Sequence, residues 1–261
     1  MKDSSKKTFV HSIIYGLIYL VTASVVSVGG YFQFQKRYYT NVLIDGSSMS
    51  PTLNEDFSTE NETIDGKSYI RENNINFGVI NEHKEATKDL KRYSIITCYY
   101  PWDASDYEKY GDDYVHNQKA KKNASYKIKR IYAFPGDTFI VENNIFSLKI
   151  GDEWVIQNTF DLAAGKGSFD SYSFNIIGSG DELRNIPETT LKEKEYWVMG
   201  DNWISSSDCY THTNIFKENI TGALVSILGK ETHRRRIGFR DYELISRTYY
   251  KKPIYFYNPE K

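Results

Sequence analysis

Residues 9–32 contain no Asp, Glu, Lys or Arg, and that run divides the chain into a segment suited to hydrocarbon and a much longer polar body. A helix needs about 20 apolar residues to cross a bilayer core, so the run predicts one transmembrane helix. Lys2, Lys6 and Lys7 precede it, and Val21-Thr22-Ala23 supplies small residues of the kind found where signal peptides are removed. The apolar character continues through Val25, Val26 and Val28 to Tyr31 and Phe32, past the roughly 7 to 15 residues of a signal-peptide core. The segment is therefore read as retained, a single-pass anchor in the cell membrane. The lysines of residues 1–8, set against Lys36 and Arg37, give a slight positive-inside bias. The expectation is a cytoplasmic amino terminus and an extracytoplasmic domain over residues 40–261.

The body is rich in Tyr, Ile, Val, Thr and Phe, arranged in short runs split by Gly, Asn, Asp and Pro. That pattern predicts a mainly β fold. Candidate strands cover residues 93–100, 126–134, 138–141, 145–150, 195–199 and 224–228. Residues 54–81 are polar and Asn-rich, and are expected to divide between a strand and an exposed loop. Two stretches, about 102–123 and 142–193, read as insertions, the second as a β-rich subdomain. The segment 230–261 is basic and aromatic, with Arg234-Arg235-Arg236, Arg240 and Lys251-Lys252. It reads as a solvated face or frayed terminus, or as a segment drawn to anionic lipid.

With 261 residues, 40% of them hydrophobic, the chain can bury a substantial core. A formal net charge of −1 argues against nucleic acid as a partner, because phosphate neutralisation needs a concentrated excess of Lys and Arg. Cys98 and Cys209 are the two cysteines, so one disulfide is the maximum, and no ligand set for a metal is apparent.

A serine hydroxyl is a weak nucleophile until a base takes its proton. Ser48 stands out because Gly46 permits close backbone approach and Pro51 restricts the chain just beyond it. Among the five histidines, His212 lies near another candidate, Asp208, so a Ser48–His212–Asp208 triad is compatible with the spacing. Lys129 is the stronger base, on a predicted strand with Ile128 and Ile131 beside it. Apolar burial disfavours an ammonium and lowers its pKa, which lets a lysine accept a proton. Lys127 shares its face by strand alternation, so periodicity does not choose between the two lysines.

Four blocks occur in one order after the apolar run: Ser48-Met49-Ser50-Pro51-Thr52-Leu53; the tyrosine-rich strand at 92–101; Tyr126-Lys127-Ile128-Lys129-Arg130 with Pro135-Gly136-Asp137; and Met199-Gly200-Asp201-Asn202 with Ser206 and Asp208. In this the chain resembles bacterial type I signal peptidase. The resemblance implies a signal-peptidase-like β catalytic domain in which Ser48 is the nucleophile and Lys129 the general base. It implies that Ser206 orients the lysine amine, that Asp208 is structural, and that Arg130 serves the fold. Asp208 ordinarily pairs with an arginine two residues later, yet Tyr210 stands there, Cys209 replaces a serine, and Trp203 replaces a common arginine. Gly46 stands where some members carry an oxyanion-hole serine, leaving that work to backbone N–H groups.

The implied substrates are exported preproteins, lying extended with small residues in shallow pockets beside Met49. Membrane lipid is the other implied partner, and no cofactor is required. A second reading keeps the fold without the activity, as a protein that assists or positions surface proteins, and it is motivated by the altered block at 203–210.

Overall fold

The structure, a computed structural model, describes residues 17–30, 33, 38–84, 86–100, 126–143, 145–156, 185–202, 205–210, 212, 214–238 and 241–256. The predicted insertion at 102–123 lies outside them, as do His11, His116, Trp203, Arg240 and residues 157–184 of the second insertion. Residues 17–30 are helical, with Leu17, Ile18, Leu20, Val21, Val25 and Val26 exposed. Among the described residues no helix is long and apolar enough to cross a membrane. Residues 9–16 and 31–32 of the predicted span fall outside the description.

The remainder is mainly β. Thirteen strands are described: β1 (Tyr39–Leu43), β2 (Ser58–Ile64), β3 (Lys67–Asn81), β4 (Ile95–Tyr99), β5 (Tyr126–Ala133), β6 (Thr138–Glu142), β7 (Ile145–Ile150), β8 (Glu153–Ile156), β9 (Ile186–Thr190), β10 (Glu195–Met199), β11 (Ile215–Phe216), β12 (Ile220–Arg236) and β13 (Tyr242–Tyr255). Nine of them form one sheet in the order β1-β3-β12-β4-β5-β10-β11, with β2 added to β3 and β13 to β12. The others form a four-stranded sheet, β8-β7-β6-β9.

Aromatic burial joins the two sheets. Phe139 of β6 packs 4.5 Å from Trp197 of β10, and Phe146 of β7 meets Tyr132 of β5 at 5.5 Å between ring centroids. These side chains, with Ile96, Ile131, Val141, Leu148 and Val198, make one continuous core. The small sheet thus shares its interior with the large one. A second core holds Ile44, Met49, Leu53, Ile80, Ile95, Leu224 and Ile227 beneath the chain that follows β1.

Two expectations are corrected. Residues 54–81 do not divide into one strand and a loop: β2 and β3 form a hairpin turning at Asp65-Gly66, both in the left-handed region. The carboxy-terminal segment is not a frayed terminus either: it holds the end of β12 and all of β13, and the mostly exposed β13 is the solvated face that the sequence also allowed. The strand predicted at 224–228 is the middle of the 17-residue β12, which pairs with β3 on one side and with β13 on the other. Charge hid this strand, because its arginines are paired across neighbouring strands. Arg234 is 2% exposed and meets Glu72 of β3, which also receives Arg236 at 2.6 Å. The face of Tyr242 lies 3.8 Å from the Arg234 guanidinium.

Breaking a buried pair leaves an uncompensated charge, at a cost of about 3–5 kcal/mol, whereas exposed pairs contribute about 1 kcal/mol or less. Glu72→Ala is therefore expected to lower unfolding stability by several kcal/mol. Glu60→Ala, which removes the solvent-exposed partner of Arg71, is expected to change it little, as read by denaturant unfolding.

Candidate active site

β5 deepens along its length, from exposed Tyr126 to buried Arg130 and beyond, because β10 begins to pair with it at Arg130. Lys129 sits at that threshold, opposite Ile96 of β4, and is 3% exposed. Lys127, two residues earlier on the same strand, is only partly buried. Burial, and not alternation, separates the two lysines.

The chain leaving β1 turns across Lys129 and brings Ser48 to it. Lys129 Nζ donates to Ser48 Oγ at 2.8 Å. Burial holds the amine's pKa below 10.5, opposed by the negative charge of Asp208. The arrangement is a desolvated amine in direct contact with a hydroxyl, which is what a serine needs to lose its proton.

The turn after β10 fixes the other side. Asn202 N–H donates to the Ser48 carbonyl at 3.0 Å, and Gly200 N–H donates to Asp208 Oδ2 at 2.8 Å. A Cβ on Gly200 would fall 2.2 Å from the Ser48 carbonyl oxygen and 2.5 Å from Ser206 Oγ, so only glycine fits. The resemblance had implied that Ser206 orients the lysine amine; here its hydroxyl donates to Asp208 Oδ2. Tyr210 N–H supplies a further hydrogen bond to Asp208 Oδ1 at 3.0 Å. Burial raises the Asp208 pKa, and these hydrogen bonds together with Lys129 oppose the rise. Ser206 and Asp208 therefore reach Lys129 through the carboxylate's field.

Arg130 points away from Lys129, as adjacent strand residues do. It grips Asp201 in a bidentate pair, at 2.8 Å from Nε and 2.7 Å from Nη2, and donates to the Tyr93 carbonyl at 2.8 Å. Burial disfavours its charge, but Asp201 outweighs that and raises the guanidinium pKa. Thr52 Oγ1 joins the same carboxylate, so the Ser48 segment is tied to Asp201 as well. The sequence leaves Asp208 without its usual arginine, since Tyr210 stands there; the buried ion pair beside the site is Arg130–Asp201. Asp201 and Arg130 both lay in noted blocks, but they are 71 residues apart and nothing local to either block signals their pairing.

Other candidates resolve differently. Met49 is 2% exposed and fills the second core, so it is a packing residue and not part of a substrate pocket. Gly46 has φ +79 with open space around its missing Cβ, so conformation and not close approach calls for glycine. His212 Nε2 lies 2.9 Å from Ser207 Oγ on the exposed side, and its backbone N–H meets the Asp208 carbonyl; neither contact involves Ser48. Cys98 and Cys209 are both buried as thiols, without a disulfide, and burial pushes the Cys209 thiol well above 9.0. Among the described residues no cluster suited to a metal ion occurs.

A family model described as signal peptidase, peptidase S26, matches residues 15–228. Among solved structures, a signal peptidase I from Enterococcus faecalis V583 aligns with 52% of this chain and 97% of its own, at 16% identity and a TM-score of 0.34. No curated protein matches the chain.

The lowered Lys129 pKa has a signed consequence for stability. Between the folded-state value and 10.5 the unfolded chain binds the proton that the folded one has lost, so wild-type stability rises with pH through that window. Lys129→Met lacks this slope. Its stability advantage over wild type is expected to shrink as pH rises toward 10, as measured by denaturant unfolding at several pH values.

Proposed function

This chain belongs to the S26 family of signal peptidases, and on that premise we propose that it is a membrane-anchored serine endopeptidase cleaving signal peptides by a Ser48–Lys129 dyad. The observation that carries the reading is the 2.8 Å contact between Ser48 Oγ and an amine whose pKa burial lowers. With Lys129 neutral the contact reverses, and the Ser48 hydroxyl donates to Nζ.

Ser48 Oγ attacks the scissile carbonyl as its proton passes to Lys129. The tetrahedral intermediate collapses, the C–N bond breaks, and the lysine ammonium returns the proton to the departing amine. An ester links the signal peptide to Ser48. Water then gives a proton to Lys129 and attacks the ester, and Ser48 leaves as a hydroxyl once Lys129 protonates it. Backbone N–H groups at the Ser48 turn hold the oxyanion, since residue 46 has no hydroxyl. Asp208, buried and held by Ser206, Gly200 and Tyr210, limits how far the Lys129 pKa falls.

Substrates in this reading are exported preproteins with small residues before the cleavage site, presented as an extended strand. The apolar run at 9–32 anchors the enzyme in the cell membrane, with the amino terminus in the cytoplasm and the β domain outside. The second reading, a catalytically weak or non-cleaving protein that assists or positions surface proteins, rests on the altered block at 203–210, where Tyr210 stands in place of the usual arginine.

Full-length protein in lipid vesicles, incubated with a preprotein and followed by mass analysis, separates the two. Wild type is expected to cut at one position. Ser48→Ala is expected to abolish cleavage and Lys129→Ala to reduce it by on the order of 10²–10⁴. Lys129→Arg, whose guanidinium keeps its proton, should be as inactive as Lys129→Ala. Wild-type rate should rise with pH up to a plateau whose midpoint lies below 10.5, because only the neutral amine accepts the serine proton. Cleavage that survives both alanine variants contradicts the dyad.

A further inference from the structure

We propose that Asn54, with its partner Asn76 of β3, is the positioning residue that sets the geometry of the Ser48 turn; the inference rests on the nucleophile role given to Ser48 above. Asn54 has a left-handed backbone, φ +58, and is fully buried. Its side chain is used at both ends. Oδ1 accepts the Asn76 backbone N–H at 2.6 Å, which orients the amide so that Nδ2 faces the other way. Nδ2 then donates to the Ile44 carbonyl at 2.6 Å and to the Gly46 carbonyl at 2.7 Å. Asn76 reciprocates, its Oδ1 accepting the Asn54 backbone N–H at 2.6 Å.

These bonds close the segment 44–54 into a loop whose two ends are pinned to one strand. The Ile44 N–H donates to the Asn76 carbonyl at 2.9 Å, so residue 76 holds the loop at its entry and its exit. Nδ2 fixes the carbonyls on either side of Asp45, while Arg234 holds the Asp45 carboxylate at 2.7 Å. Three successive residues are thereby set before Ser48, including Gly46 in its left-handed conformation. At the far end Ser50 Oγ donates to the Asn54 carbonyl at 2.8 Å. A displacement of about 1 Å in a reacting group can cost about 10²-fold in rate, and the dyad contact at 2.8 Å leaves little tolerance. None of these groups reaches the Lys129 amine or the Ser48 hydroxyl, so Asn54 acts through the backbone that carries Ser48.

Asn54→Gly is the direct test, because glycine keeps the left-handed backbone and removes only the side-chain hydrogen bonds. With full-length protein in vesicles and a preprotein substrate, kcat is expected to fall about 10²-fold with KM within about twofold of wild type. Asn73→Ala is the control: Asn73 is buried in β3 and bonded to Ser58, Glu60 and His233, away from the loop. It is expected to lower thermal stability while leaving kcat unchanged. Asn54→Gly protein that folds and keeps wild-type kcat overturns the proposal. If it does not fold, Asn54→Asp, which also tolerates the left-handed region, is read in the same way. Failure of both to fold also overturns it, since Asn54 is then a residue of the fold alone. A wild type that does not cleave, with Ser48→Ala indistinguishable from it, instead removes the functional reading on which the inference rests.

Discussion

A lysine amine buried against a serine hydroxyl is costly to keep charged, and the surrounding structure is arranged around that cost. Lys129 lies on β5 where the strand first gains a neighbour on each side, and the segment after β1 completes its enclosure. Desolvation favours the neutral amine and Asp208 opposes it, so the balance of the two sets the pH at which the amine loses its proton. Two charged residues around it have other hydrogen-bond partners. Arg130 is committed to Asp201, and Asp208 is committed to the Ser206 hydroxyl and two backbone N–H groups.

The hydroxyl partner is held by three separate ties. Asn202 fixes the Ser48 carbonyl from the β10 turn, Thr52 fixes the loop to the Asp201–Arg130 pair, and Asn54 fixes the residues before Ser48 to β3. Gly200 lets the β10 turn press directly on the Ser48 carbonyl. The loop therefore behaves as part of the sheet, although it contains no regular structure of its own. Met49 and Leu53 reinforce it from below by packing into the second core, which explains why apolar residues alternate with the polar ones there.

The strands at 145–150 and 195–199 were legible to the residue, because β-branched and aromatic side chains there face a shared core and turn residues bound them. Ser48 and Lys129 were legible through the order of the blocks around them. What escaped was held by long-range polar pairing. β12 and β3 meet across a separation that sequence periodicity does not span, and Arg234 reads as a solvated charge until Glu72 is seen beside it. Asn54 and Asn76 look like loop asparagines, since amide side chains that bond to distant backbone leave no periodic trace. Met49 misled for the opposite reason: adjacency to Ser48 suggested a pocket, while the turn directs its side chain inward.

The charge state of the Lys129 amine is the quantity on which the account turns. Its direct measurement is an NMR titration of Lys129 with ¹³C at Cε, in the folded protein and with Ser48→Ala alongside. The account predicts a midpoint below 10.5 for Lys129 in both. A Lys129 midpoint at or above 10.5 would mean that the amine stays protonated throughout the working range, and would contradict its role as the base.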